Sequence, residues 1–319
     1  MFSTNNSNSK GKTTQELVTA SIESLVKALE SGHSEALSSY LQAMAHFHTY
    51  SLNNILLIAA QKPSATRVAG IRTWNELGRR VKRGEKGILI FAPLIGYKRS
   101  HSSEPESSGR RKKGKTDESA QAGIQTERQL LGFRGVYVFD VAQTEGDELP
   151  ELGNTVQGDV SEILPRLIEF VQSRQIKFEY SEKISPARGM SCGGLIRLLP
   201  GMEPTETLAT LVHELAHEML HKGERRTLVT KTVRETEAEA VAFVVLNALG
   251  LETGSGSADY IQLYHGDAKL LQESLEVVQR TSAVILGAIS PRDAAEPTTA
   301  VSGVVMQQAS RPEAQEVRQ

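Results

Sequence analysis

The chain has 319 residues, with 36 Lys and Arg against 38 Asp and Glu, a formal charge of −2. That balance excludes a protein that binds nucleic acid through whole-chain charge, and a single cysteine, Cys192, excludes an intrachain disulfide framework. The polar N-terminal stretch lacks the apolar core of a signal peptide, and no apolar run approaches the ~20 residues that cross a bilayer, so a cytoplasmic protein with no membrane partner is expected.

The length suits about two domains at roughly 150 residues each. Residues 1–14 are polar and expected to be disordered. From 15 to 41 apolar residues recur at helical spacing (Leu17, Ile22, Leu25, Val26, Leu29), and a second helical stretch covers 40–47. A third helix starts near Ser51 and stops before Pro63. Residues 66–71 read as extended and 74–77 as a helical turn. Ile88 to Phe91 and residues 133–141 read as strands of one small α+β domain, 15–147. Between those strands lies a Ser-, Lys- and Arg-rich segment, 100–128, expected to be a disordered basic insertion. An acidic, turn-rich linker follows at 145–159. The second domain, 160–289, is expected to hold a helix at 163–173, strands at 176–180 and 194–199, and helices at 205–221, 232–249 and 268–286. The tail, 290–319, is small and polar and is expected to be disordered.

The helix at 205–221 contains His213-Glu214-Leu215-Ala216-His217. Residues four apart lie on one helix face, so two imidazoles can share one zinc ion. The carboxylate after the first histidine, Glu214, is then placed to take a proton from water held at the metal. Leu208, Leu211, Val212, Leu215, Met219 and Leu220 surround these polar residues with apolar surface, where unpaired polar groups are costly. Zinc needs a third protein ligand, and the next helix offers Glu235 and Glu239 on one face. Glu235 is read as the ligand and Glu239 as the acceptor orienting a histidine, with the exchanged roles as the competing assignment. Glu237 falls on the opposite side of that helix. The segment 191–200 reads as an exposed edge strand that an extended peptide can join. Cys192, a ligand or nucleophile in principle, is read as structural, and His221, four residues beyond His217 and within reach of the site, is read as a helix C-terminal residue.

The first domain mixes aromatic and cationic residues. Arg67, Arg72, Trp74, Arg79, Arg80, Lys82, Arg83 and Lys86 follow one another with few intervening acids. Cations neutralise phosphates and aromatics stack on unpaired bases, a combination that suits single-stranded nucleic acid, with a solvated charged face and a core role for Trp74 as the alternatives.

Residues 48–61, 65–74, 84–88 and 90–93, together with 208–217 and the downstream Glu-x-x-Ala-Glu helix, closely resemble the ArdC-like antirestriction family. The resemblance covers about 15–251 and is interrupted by the insertion. It implies an N-terminal single-stranded-DNA-binding domain joined to a zincin-like, gluzincin-type metallopeptidase domain with Zn2+ as cofactor. It implies the setting of a plasmid or other mobile element whose DNA is protected from restriction. A protein substrate is implied without being identified. Two alternatives stay open: a DNA-binding protein with a structural or inactive metal site, and a regulatory metalloprotease that cleaves a repressor.

Overall fold

The computed structural model describes residues 14–31, 34–99, 126–148, 160–251 and 268–290. The expectations for the N-terminal stretch, for residues 100–125 of the insertion, for most of the linker and for the tail fall outside these residues. Within them the fold is α+β, as expected.

Three helices come first: α1 (Thr14–Glu30), α2 (Ser34–His46) and α3 (Leu52–Gln61). The periodic stretch 15–41 is therefore two helices. Residues 30–35 offer no large apolar side chain to bury, and Gly32 carries a helix penalty of about 1 kcal/mol relative to Ala.

A small sheet follows. β1 (Val68–Ala69) is separated by α4 (Ile71–Glu76) from β2 (Arg79–Val81), and then come β3 (Ile88–Arg99), β4 (Thr126–Asp140) and β5 (Thr144–Gly146). The strand order is β1-β4-β3, all antiparallel, and β2 pairs separately with β5. Residues 126–128 of the expected insertion are thus strand. Ile88, Ile90, Ala92 and Val138 put one face of the sheet into the core. The outer edge of β3 is closed by side chains of α3. Asn54 donates to the Phe91 carbonyl at 2.9 Å and accepts from the Phe91 N–H at 2.8 Å. Gln61 does the same for Leu89 at 2.9 Å and 2.9 Å. Two amide side chains on α3 thereby satisfy backbone groups that an open edge leaves to other chains. Asp140, 1% exposed, ties β1 to β4 by accepting the Thr66 and Arg67 amides at 2.8 and 3.1 Å.

The remainder holds α5 (Val160–Ser173), β6 (Lys177–Tyr180), β7 (Gly189–Ser191), β8 (Leu195–Leu198), α6 (Pro204–Leu220), α7 (Arg225–Leu228), α8 (Lys231–Ala248) and α9 (Ala268–Ile289). The second sheet runs β6-β8-β7, with β6 parallel and β7 antiparallel to β8. The strand expected at the edge, β8, is central, because Ile196 and Leu198 are fully buried. The edge beside α6 is β7, whose Gly-Met-Ser sequence carries no strand pattern.

One apolar cluster joins the two halves. α2 packs on α8, while α1 and α3 pack on α9. Gln279 of α9 donates to the carbonyls of His48 and Tyr50 at 3.2 and 2.8 Å. Among the described residues no helix is long and apolar enough to cross a membrane.

A candidate metal centre and the basic surface

Helix α6 starts with Pro204 in its first turn, where a missing N–H costs nothing, and ends at His221. Its central turn presents His213 and His217, whose ring centroids are 4.8 Å apart. Helix α8, capped by Thr230 accepting from the Val233 N–H, lies against α6 and brings up Glu235 and Glu239. The two Nε2 atoms are 3.1 Å apart, and Glu235 Oε2 lies 3.7 Å from that of His213 and 3.4 Å from that of His217. Three ligands arranged tetrahedrally about 2.1 Å from a zinc ion stand about 3.4 Å from one another. The triangle of donors fits that figure. Glu239 Oε2 lies 3.3 Å from His213 Nδ1 on the far side of the ring. The structure thus brings His213, His217 and Glu235 together at one point, with Glu239 behind His213.

Charge gives a second test of fit. Glu214, Glu235 and Glu239 surround the two imidazoles, and among the described residues no Lys or Arg pairs with any of the three. Burial lowers the His213 pKa, but the Glu239 hydrogen bond and the three carboxylates reverse this and leave it raised. Burial and the adjacent His213 hold His217 down at about 4, so its ring is neutral and its Nε2 lone pair is free to bind. A divalent cation suits both the donor atoms and the surplus negative charge. Glu235 and Glu239 are about half exposed, so the centre opens to solvent on that side.

Glu214 is 9% exposed, and burial raises its pKa above the ordinary carboxylate range. Gly189 of β7 passes directly over it. A Cβ at that position would stand 2.7 Å from Glu214 Oε1 and 2.6 Å from Thr210 Cγ2. Only glycine permits this approach. Gly189→Ala is therefore expected to displace the Glu214 carboxylate and lower any hydrolytic rate at least tenfold while bound metal stays stoichiometric. Rate and metal content measured on one preparation check this, and loss of the metal would show that the strand supports the ligands instead.

Sequence reasoning missed three buried residues around the centre. His221 is 2% exposed and is not at a solvated helix end. Its Nδ1 lies 3.0 Å from His217 Nδ1, and its Nε2 lies 3.0 Å from Glu237 Oε2. Glu237, on the side of α8 away from Glu235 as expected, is wholly buried. It also accepts from Arg225 Nη2 at 2.6 Å and Ser274 Oγ at 2.7 Å. Burial raises its pKa, but the bonds from His221, Ser274 and Arg225 outweigh this and hold it below the ordinary range, so Glu237 is ionised. An ionised Glu237 can only accept, so His221 donates its Nε2–H to it. His221 Nδ1 is then an acceptor, His217 Nδ1–H donates to it, and His217 Nε2 is left bare toward Glu235. The third residue, Glu218, accepts Ser191 Oγ–H and the N–H groups of Gly193 and Gly194, each at 2.7 Å, and so fastens the β7–β8 turn to α6. Positive φ values of 68° and 98° at Gly193 and Gly194 explain the Gly-Gly pair. The one signal available was helical spacing: His221 and Glu218 extend the His-Glu rhythm of α6.

The basic residues divide into two groups. Trp74 is fully buried, with its indole N–H donated to the Phe139 carbonyl at 2.9 Å, so it is a core residue and not a stacking surface. Arg79 donates to Thr144 Oγ1 at 2.8 Å and to the Asp147 carbonyl, bracing β2 against β5. Lys82 donates to the Ala142 carbonyl at 3.0 Å, and Arg72 pairs with Glu76 one turn on. Arg67 is half-buried beside Asp140. Arg80, Arg83 and Lys86 are exposed, and no described side-chain hydrogen bond or ion pair engages them.

Comparison with known proteins adds the lineage. Residues 11–139 match the sequence model for the N-terminal domain of the anti-restriction factor ArdC. The N-terminal part of this chain is thus similar to the N-terminal domain of ArdC. Over 260 residues, 74% of this chain, the sequence is 23% identical to an uncharacterized protein of Bacillus anthracis, pXO2-81, and it spans 44% of that protein's length. Two crystal structures of the antirestriction ArdC protein from plasmid R388 are similar at 18% identity. The metal-free one has a TM-score of 0.49, covering 86% of this chain and 97% of that one. The Mn(II)-bound one has a TM-score of 0.47, covering 87% and 99%.

Proposed function

We propose that this protein is an antirestriction-type protein that binds single-stranded DNA and carries a zinc-dependent peptidase centre. The observation that supports the peptidase reading is the convergence of His213 Nε2, His217 Nε2 and Glu235 Oε2 within 4.8 Å of one another, on a face open to solvent. When bound there, zinc supplies Lewis acidity toward a peptide carbonyl and toward the attacking water. Glu214 takes the proton of that water and passes it to the departing amine. Its pKa, raised by burial, makes the carboxylate a better proton acceptor than a solvated one. Glu239 holds His213 with Nε2 turned inward, and the Glu237–His221 pair does the same for His217. The edge of β7 turned away from β8, running over Glu214 at Gly189 and meeting it again through the Ser191 backbone, would take an extended peptide by strand pairing.

The antirestriction setting rests on the ArdC-type N-terminal domain. DNA binding rests on that kinship and on the unengaged cations Arg80, Arg83 and Lys86. Metal analysis tests the centre. Purified protein is expected to hold one zinc per chain, His213→Ala and Glu235→Ala to lose it, and Glu214→Ala and Glu239→Ala to keep it at equal or weaker affinity. Metal retained in Glu235→Ala and lost in Glu239→Ala would exchange the roles of the two carboxylates.

A further inference from the structure

The face of the first sheet turned away from the core carries large apolar side chains. Along β4 this face presents Phe133, Gly135 and Tyr137, and pairing places Pro93, Phe91 and Leu89 opposite them on β3. Phe133 and Tyr137 are 61% and 63% exposed. Four residues of strand separate the two rings by about 13 Å, and the glycine between them leaves the floor low. A Cβ at Gly135 would already touch Leu89 Cδ1 at 3.1 Å.

A cleft of about 660 Å³ adjoins this face. Gly87 lines it and also lies beneath Tyr137, where a Cβ would stand 2.9 Å from Tyr137 Cβ. Lys62, Arg83 and Lys86 line the same cleft. Among the described residues, no side-chain hydrogen bond or ion pair engages any of these three. The one acid of the lining, Glu85, already accepts from Gln143 Nε2 at 2.9 Å.

We propose that this face and cleft together seat single-stranded nucleic acid, with bases stacked on Tyr137 and Phe133 and a phosphate held in the cleft by Lys62, Arg83 and Lys86. The inference deepens the DNA-binding reading above and rests on it. Exposed aromatic rings take unpaired bases, which duplex DNA does not offer, and the free cations beside them match a phosphodiester backbone. A purely apolar protein partner would leave the cationic cleft without a counterpart.

The test uses the full chain with its metal and a fluorescein-labelled oligothymidylate, read by anisotropy over a range of salt. Phe133→Ala/Tyr137→Ala is expected to lose at least about tenfold in affinity with an unchanged salt slope. Lys62→Ala/Arg83→Ala/Lys86→Ala is expected to lose affinity with a salt slope shallower by about 2. Tyr137→Phe keeps the ring and is expected to bind within threefold of the parent. If the parent binds and both multiple variants match it, the surface assignment falls while the DNA-binding reading stands. If the parent does not bind, both fall. An aromatic variant that binds normally but sediments as a smaller species would make the face a self-association surface and overturn the proposal. Equal affinity of the parent for duplex and single strand would remove the stacking role and overturn it as well.

Discussion

Replacing Glu214 by Gln is expected to leave one zinc bound per chain and to lower peptide hydrolysis by about two to four orders of magnitude. The side chain keeps its volume, so the packing under Gly189 is preserved, where a Cβ would already stand 2.7 Å from Oε1. What is lost is the proton acceptor. Glu214 is not within the cluster formed by His213, His217 and Glu235, so metal affinity has no direct reason to fall. An unstructured peptide library analysed by mass spectrometry reads the rate without a known substrate, with zinc measured on the same preparation. Turnover equal to the parent's would remove Glu214 from the chemistry. No turnover in either protein, with zinc present, would favour a structural role for the centre.

The second large effect is expected at a residue outside the motif. Glu237→Ala removes a fully buried carboxylate and strands Arg225 and His221. Breaking a buried pair from one side costs about 3–5 kcal/mol, and the 30% exposure of Arg225 places this case near the lower end. The loss is also expected to reach the metal. Without an ionised acceptor, His221 no longer has to keep its proton on Nε2. The proton on His217 is then free to move to the ligating nitrogen. Second-sphere changes of this kind lower metal affinity about 10- to 100-fold. Thermal unfolding in a chelator isolates the stability effect, and competition with a fluorescent zinc indicator isolates the affinity effect. Glu237→Gln keeps the volume and one acceptor oxygen, so it is expected to lose less of both. If Glu237→Ala melts with the parent and competes equally well for zinc, the relay through His221 is not what orients His217.

Local periodicity made much of this protein legible. Spacing of four on an α-helix is a local property, so His213 with His217 and Glu235 with Glu239 had to share faces wherever those helices packed. The same periodicity put Glu237 on the far side of α8. The helices α3, α6, α8 and α9 followed from apolar recurrence. The break between α1 and α2 was written in the polar residues 30–35, but periodicity reads across so short a gap.

Tertiary structure decided whatever depended on two distant segments meeting. Nothing local says that Glu237 of α8 meets Ser274 of α9 and His221 of α6, because each is an ordinary polar residue in its own helix. Strand β7 escaped because three residues of Gly-Met-Ser carry no alternation, and its role comes from lying against α6. Composition grouped Trp74, Arg79 and Lys82 with Arg83 and Lys86 as a DNA surface. Only the fold separates the side chains spent on the Phe139, Thr144 and Ala142 groups from those left facing solvent. A sequence records which side chains are cationic or aromatic, whereas the partners that consume their hydrogen bonds and surface arrive from elsewhere in the chain.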